Sequence, residues 1–378
     1  MQKPLNIAVN TRFLIHNKLE GIGRFTFETL KRMSLAHPQH RFYCIFDRPP
    51  HQQFLFAENI IPLIANPPAR HPFLWYWWFE WSVPRILKKI NADVFLSPDG
   101  FASLNTNIPQ LTVMHDIAFE HYPQFVPFIT KKYYRYYSPK FAHKVQRIAT
   151  VSDFSKQDIS VKYNIDVDKI DVVYNGANPS CKPINETEKQ KVKEQYSHGC
   201  NYFIFISAVH PRKNLGRILQ AFDIFKTQTQ SSTKLIVAGR MAWKNEELKT
   251  IYQKMEHKNE VVFVGHLAIK EIERLIASAT ALCYASLFEG FGLPILEAMY
   301  AETAVITSTV SSMPEVAGEA ALLVNPKDVD SISKAFLALE SQPKLQQKLI
   351  EAGKIQRQKF TWEQTAKLLW ESVLKTLN

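Results

Sequence analysis

Cysteine is scarce in this chain. Its four residues, Cys44, Cys181, Cys200 and Cys283, show no pairing at metal-ligand spacing. That excludes a metal module built on cysteine. Cys44 and Cys283 fall inside apolar, strand-like runs and read as buried thiols, which argues for a reducing compartment. No apolar run approaches the length of a membrane span. The first residues, Met1-Gln-Lys-Pro-Leu5, run directly into a strand-like segment and read as no secretory signal. These absences together lead us to expect a cytoplasmic protein, or one held peripherally on a membrane.

Acidic residues are also in short supply. The chain has 46 Lys and Arg against 35 Asp and Glu, a net charge of +11. Residues 1–180 hold 21 of these bases and 14 of the acids, so the bias leans to the front half. A basic surface suits anionic partners such as nucleotide diphosphates, lipid pyrophosphates or an anionic membrane. No nucleic-acid-binding module accompanies the charge, so nucleic acid is not expected.

With 378 residues the chain is long enough for two domains. The most informative stretch is Ser286-Leu-Phe-Glu-Gly-Phe-Gly-Leu-Pro-Ile-Leu-Glu-Ala-Met299. The apolar run Thr280–Ala285 before it reads as a buried strand. Gly290 and Gly292 give a loop that can adopt positive φ and let a ligand approach the backbone. Pro294 suits a first helical residue, with Ile295, Leu296 and Met299 as the apolar face that follows. A strand, a glycine loop and a helix N-terminus make a cradle for an anion, usually a phosphate. Glu289 sits in the loop and Glu297 in the first helical turn on this reading. Carboxylates repel phosphate but accept well from sugar hydroxyls, so the pair suggests a sugar joined to a phosphate. A tight turn with a capping Glu is the plainer alternative.

Glu289-Gly-Phe-Gly-Leu-Pro-Ile-Leu-Glu297-Ala-Met resembles the E-x7-E signature of the retaining, nucleotide-sugar-dependent glycosyltransferases of family 4. The resemblance covers nearly the whole chain. Gly21-Ile-Gly-Arg24 is similar to the family's front-half glycine loop near the donor phosphates and the acceptor, which implies roles for Gly21 and Gly23 and for Arg24. A solvated first-turn Arg is the alternative for Arg24. His115-Asp116, at the tip of the strand 110–114, resembles the sugar-contacting histidine of the family, with Asp116 toward the acceptor. Asn175-Gly-Ala177 resembles the turn that leaves the first domain. Pro211-Arg-Lys-Asn214 resembles the segment whose Arg and Lys bind the donor diphosphate. Its chemistry agrees, since Arg offers a planar fork and Lys a mobile point charge to an anion. In the family the turn at His266-Leu267 holds the nucleotide base, with Leu267 as the backbone contact.

The resemblance implies two Rossmann-like α/β domains facing a cleft, the GT-B architecture, each with a mainly parallel sheet. Residues 1–180 would bind the acceptor, joined by the last helix, 362–378, crossing back. Residues 181–361 would bind the nucleotide sugar. Strand-like runs at 5–10, 41–46, 93–97, 110–114, 147–152 and 171–174, and again at 202–207, 234–239, 260–265, 280–285, 303–308 and 320–325, fit two rounds of βα alternation. Residues 182–200 read as linker with a short helix, and Thr361-Trp-Glu-Gln364 as a capping box. His71–Trp81 holds four of the seven tryptophans and stays open between core helix, membrane-interface patch and sugar-stacking surface. Lys131-Lys-Tyr-Tyr-Arg-Tyr-Tyr137 suits either anionic headgroups or solvent.

The expected function is transfer of a sugar from a nucleotide diphosphate sugar, GDP-mannose or a UDP-sugar, to a glycan or lipid-linked saccharide. The resemblance implies retention and leans to the mannosyltransferase-like branch of bacterial surface polysaccharide synthesis. Arg212, Lys213 and the N–H groups of Gly290, Phe291, Gly292 and Leu293 would stabilise the leaving diphosphate. Glu289 would hold the donor sugar, Glu297 the ribose and His115 the sugar from the other domain. No DxD-type metal motif stands at a suitable loop, so no metal or other cofactor is expected. A sugar-nucleotide epimerase of the same architecture is the alternative, and a silent nucleotide-sugar-binding subunit is a third reading.

Overall fold

Short runs rich in β-branched and aromatic residues alternate with longer helical segments, and the backbone follows that rhythm twice. The computed structural model describes residues 3–19, 21–178, 180–240 and 246–378. The chain divides into two compact units, residues 1–175 with 362–378 and residues 176–361.

The first unit carries a seven-stranded sheet in the order β3-β2-β1-β4-β5-β6-β7. Its strands are β1 Asn6–Asn10, β2 Arg41–Phe46, β3 Ile60–Ile64, β4 Val94–Ser97, β5 Gln110–Val113, β6 Arg147–Thr150 and β7 Ile170–Val172. All of their pairings are parallel. β4 and β5 are buried along their whole length, as a parallel sheet covered on both faces requires. The last helix, Trp362–Leu377, belongs to this unit. It packs on the Ile22–Ala36 helix, with Trp362 edge-on to Phe25, Trp370 stacked on His37 at 4.0 Å and Arg32 paired to Glu363 at 2.8 Å.

The second unit has a six-stranded parallel sheet in the order β10-β9-β8-β11-β12-β13. The strands are β8 Tyr202–Ile206, β9 Lys234–Ala238, β10 Val261–Gly265, β11 Ala281–Tyr284, β12 Ala304–Ser308 and β13 Ala321–Val324. Its core is built on aromatic rings: Phe203 lies 4.6 Å from Phe336 and 5.7 Å from Phe225. In both sheets the strand order reverses once, between β1 and β4 and between β8 and β11. The loops leaving those strands diverge and open a crevice at the C-terminal edge, where open α/β sheets bind ligands.

Several elements differ from the sequence reading. β3 was not anticipated, because Pro62 within Ile60-Ile-Pro-Leu-Ile64 argues against a strand; it is tolerated here because β3 is an edge. β6 ends at Thr150, two residues early, because Ser152 turns to cap the next helix by accepting from the Ser155 N–H. Within the polar stretch 182–200 the Glu186–Ser197 helix takes most of the length, opened by Asn185 as N-cap. The tryptophan-rich stretch is a helix, Pro72–Trp77, a wide π turn, Trp78–Ser82, and a second helix, Val83–Lys89. It is part core and part surface: Trp78 and Phe79 are fully buried, whereas Trp77 and Trp81 are exposed. Among the described residues no helix is long and apolar enough to cross a membrane.

Gly239 closes β9 with φ +145°, and a Cβ there would stand 1.9 Å from the Ser207 carbonyl oxygen. No rotamer can relieve a clash with backbone. Gly239→Ala should therefore destabilise the second unit by about 2–4 kcal/mol or more. A urea titration checks this, and an unchanged midpoint would disprove the close approach.

Candidate active site

In the second unit the chain leaves β8 and forms a single tight turn, Pro211–Lys213. His210 opens it by accepting the Arg212 N–H at Nδ1, 3.2 Å. Asn214 closes it in the left-handed region, φ +64°. The buried Asn214 amide donates to the carbonyls of Ala285, 2.9 Å, and Pro326, 2.6 Å. Leu287 N–H donates to the Arg212 carbonyl at 2.8 Å. These bonds lash the turn to the loop that leaves β11, so Arg212 and Lys213 face that loop.

Glu289 stands between the two cations. Lys213 Nζ lies 2.7 Å from Oε1 and Arg212 Nη1 2.9 Å from Oε2. Lys213 also bonds the Tyr284 hydroxyl at 2.6 Å, and Arg212 donates to the Phe288 carbonyl. Two serines fix the Glu289 backbone. Ser311 Oγ accepts its N–H at 3.1 Å, and Ser312 Oγ bonds the carbonyls of Glu289, 2.9 Å, and Phe291, 3.0 Å. Burial opposes charge on Glu289, but Lys213 and Arg212 outweigh it and hold its pKa at about 2. Burial, helped by the Glu289 charge, pushes the Tyr284 phenol well above its usual range. Tyr284 therefore stays neutral beside Lys213. Two cations share one carboxylate, so this buried trio carries a net positive charge, the polarity an anionic ligand needs.

Gly292 then takes φ +103° and opens the Leu293–Tyr300 helix. Pro294 is its second residue rather than its first, and Glu297 is its fifth, one residue deeper and just past the first turn expected. The glycine loop reaches one residue less far than the sequence suggested, since Gly292 itself is the N-cap. Glu297 is half-buried there, as is Leu267 in the turn after β10, which follows Gly265 at φ +70°. Arg212, Lys213, Glu289 and Gly290–Leu293 thus meet at the β8/β11 crevice, and Leu267 lies along the same sheet edge, in the turn that follows β10.

The other named residues lie in the first unit, at the β1/β4 crevice and the adjacent end of β5. His115 Nε2 is 2.9 Å from the Pro98 carbonyl. A carbonyl only accepts, so the proton sits on Nε2. Burial lowers the His115 pKa against the pull of the Pro98 bond, Asp116 and Asp99. The ring is neutral, and its Nδ1 is the acceptor. Phe25 meets it edge-on at 5.0 Å. Gly21 is the N-cap of the Ile22–Ala36 helix at φ +45°. Gly23 lies so close to residue 13 that a Cβ would stand 2.6 Å from the Phe13 carbonyl oxygen. Arg24 pairs with Glu28 at 3.3 Å, and Asp116 accepts the Ala118 N–H at 2.9 Å. Both are engaged locally.

Sequence reasoning missed a second buried pair here. Arg12 Nε meets Asp99 Oδ2 at 2.5 Å, with both side chains almost wholly enclosed. Asn10 and Ser97 also bond Asp99, and the guanidinium lies 4.2 Å over the Phe101 ring. Tyr284, Ser311 and Ser312 were likewise missed as site residues. A hydroxyl ending the otherwise apolar run Ala-Leu-Cys-Tyr284 was the available signal for the first.

Two units of this kind, each a parallel sheet with a crevice at its switch point, are the components of the GT-B fold. Solved structures agree on the fold. A glycosyltransferase from Rickettsia africae superposes with a TM-score of 0.75 at 20% identity over 100% of both chains. Anabaena HepE, solved with UDP and glucose, gives 0.75 at 16% identity over 98% of this chain and 99% of its own. Residues 19–180 match Glycosyltransferase Family 4, and residues 186–356 match Glycosyl transferases group 1. The O-antigen chain mannosyltransferase B of Escherichia coli is 30% identical over 364 residues, covering 91% of this chain and 93% of that protein. The O-antigen chain mannosyltransferase RfbU of Salmonella typhimurium is 31% identical over 288 residues, 76% of each. The chain belongs to the family 4 glycosyltransferases. It is an enzyme of glycosyl transfer, and the donors of its group are nucleotide sugars.

The depressed Glu289 pKa has a pH signature. A carboxylate held at about 2 in the fold, against 4.5 ordinarily, stabilises the folded state above pH 4.5. That contribution is lost as pH falls toward 2. Glu289→Gln should melt below the wild type at neutral pH, and the gap should close over this acid window. Melting curves against pH check it; a gap constant with pH would mean that the Glu289 charge is not stabilised by Lys213 and Arg212.

Proposed function

We propose that this enzyme moves a hexose, with mannose the first candidate, from GDP-mannose or a UDP-sugar to a saccharide or lipid-linked saccharide, with retention and without a metal or other cofactor. The place of work is the cytoplasm, at the inner face of the cell membrane, in bacterial surface polysaccharide synthesis. The mannosyltransferase names of the relatives support the sugar and the setting. The observation that carries the reading is Arg212 and Lys213 converging on Glu289 beside a glycine loop and helix N-terminus.

The second unit holds the donor in this reading and the first the acceptor. The leaving diphosphate takes hydrogen bonds from Arg212 and Lys213, drawing them partly off Glu289. Charge building on the leaving phosphate is stabilised by groups already in place, each typically worth about 10²–10³ in rate. As the cations turn to phosphate, Glu289 oxygens become acceptors for the donor sugar hydroxyls. Glu297 accepts from the ribose, and the neutral His115 offers Nδ1 to a sugar hydroxyl.

Arg212→Ala or Lys213→Ala should weaken nucleotide diphosphate binding far more than nucleoside binding, read as loss of the thermal shift. Bound ligand raises stability by about 2.7 kcal/mol at a hundred times its Kd. Equal losses for both ligands would place the cations away from phosphate. Turnover should survive chelator; activity lost to chelator and restored by Mg²⁺ or Mn²⁺ would refute metal-free transfer.

The two glutamates should separate. Glu289→Gln releases Arg212 and Lys213, so free nucleotide diphosphate should bind at least as well while turnover falls strongly. Glu297→Gln should weaken the nucleotide itself by about 1.5–3 kcal/mol, the loss of a charged hydrogen bond. Calorimetry with turnover on both variants decides. Lowered melting with normal affinity and rate in both would make the pair structural.

A further inference from the structure

The Phe128–Lys144 helix has an exposed face that the glycosyl-transfer site does not use. Phe128 is 64% and Tyr136 57% exposed, and with Lys131, Lys132 and Arg135 they line an open hollow of about 440 Å³. Lys132 lies 4.5 Å over the Phe128 ring and Lys140 3.5 Å over Tyr136, so the ammonium groups ride on the aromatics. No acidic residue occurs between Glu120 and Asp153. Glu120 itself is the partner of Arg135, at 3.3 Å.

A second element continues this face. Tyr76 meets Tyr137 at 5.9 Å and Trp75 stacks on Tyr134 at 5.8 Å, which joins the tryptophan-rich helix to the basic one. Its outward side chains include Phe73, 73% exposed, and Trp77, 50% exposed and stacked on Trp81. Arg85 lies 6.0 Å over Trp81, and Lys88 and Lys89 follow. The one acid of residues 71–90, Glu80, is buried and accepts the Leu104 N–H. Large rings exposed to water are costly unless something covers them. The cover must be apolar enough for Trp and Phe and negative enough for the surrounding cations. A second copy fails this test, because a shared two-fold face sets cation against cation.

We propose that this face docks on an anionic phospholipid bilayer, with a lipid phosphate in the 128–136 hollow and Phe73, Trp77 and Trp81 seated at the headgroup level. Tryptophan and tyrosine favour that depth, and lysines beside them meet the negative surface potential. Aromatic insertion and a basic cluster act together, since interfacial binding grows with buried apolar area plus attraction to anionic lipids. The inference deepens the proposed use of a lipid-linked acceptor by naming the surface that brings the enzyme to it.

Vesicle co-sedimentation tests it. The wild type should bind phosphatidylcholine vesicles containing phosphatidylglycerol, ignore phosphatidylcholine alone, and release with salt. Lys131→Ala, Lys132→Ala and Arg135→Ala together should weaken binding about a hundredfold, at about fivefold per cation. Trp77→Ser with Phe128→Ser should weaken it at every salt concentration. All five side chains are at least partly exposed, and an unchanged melting temperature confirms folding. Equal binding to neutral vesicles, full retention by the triple variant, displacement from vesicles by inorganic phosphate, or self-association lost in the same variants would each overturn the proposal. The nucleotide diphosphate thermal shift should persist in the triple variant, so a failed membrane test and a failed donor site give different results.

Discussion

One buried carboxylate between two cations organises the second unit. Glu289 could not be charged in its enclosed position without Lys213 and Arg212, and those two would have no reason to point inward without it. The geometry is set further out, where Asn214 ties the cation-bearing turn to the exits of β11 and β13. Ser311 and Ser312 grip the Glu289 backbone from the next loop. Three loops leaving neighbouring parallel strands are thus fastened to one another through the charge they surround. This preorganisation suits the proposed donor, whose diphosphate would offer the same two cations a second partner.

Much of this was legible in the sequence, for a physical reason. Parallel strands buried on both faces must be apolar throughout, so Tyr202–Ile206 and Ala304–Ser308 announced themselves. The crevice loops must carry chemistry within a few residues of a strand end, which kept Arg212, Lys213 and Glu289 visible as local motifs. β3 stayed hidden because Pro62 breaks the local signal, and only its edge position permits it. Tyr284, Ser311 and Ser312 act through partners 21 to 71 residues away, and no local pattern encodes those distances. Glu297 was placed one residue too early because a proline near a helix start does not say whether it is residue one or two.

The tryptophan-rich stretch shows why composition alone kept three readings open. Through its helices and wide π turn, Trp78 and Phe79 enter the core, while Trp77 and Trp81, four residues apart on one face, stack outside. The core reading holds for Trp78 and Phe79, while Trp77 and Trp81 stand at the surface.

The two crevices are built alike and charged differently, and that difference is what separates their chemistry. At β8/β11 two cations meet one carboxylate, leaving positive charge for an anion. At β1/β4 Arg12 meets Asp99 one to one, and the rest of the guanidinium is spent on the Phe101 ring. That pair carries no net charge. It instead holds the Ser97-Pro98-Asp99 turn rigid, since Asp99 also takes bonds from Asn10, Ser97 and the Phe101 N–H. The Pro98 carbonyl of that same turn fixes the His115 proton on Nε2. A neutral imidazole with its Nδ1 lone pair available suits a sugar hydroxyl, which donates weakly and carries no charge. The balanced ion pair thus adds no net charge to the first unit's crevice, whereas the unbalanced one leaves the second unit's crevice positive, which is the contrast the proposed acceptor and donor roles rest on.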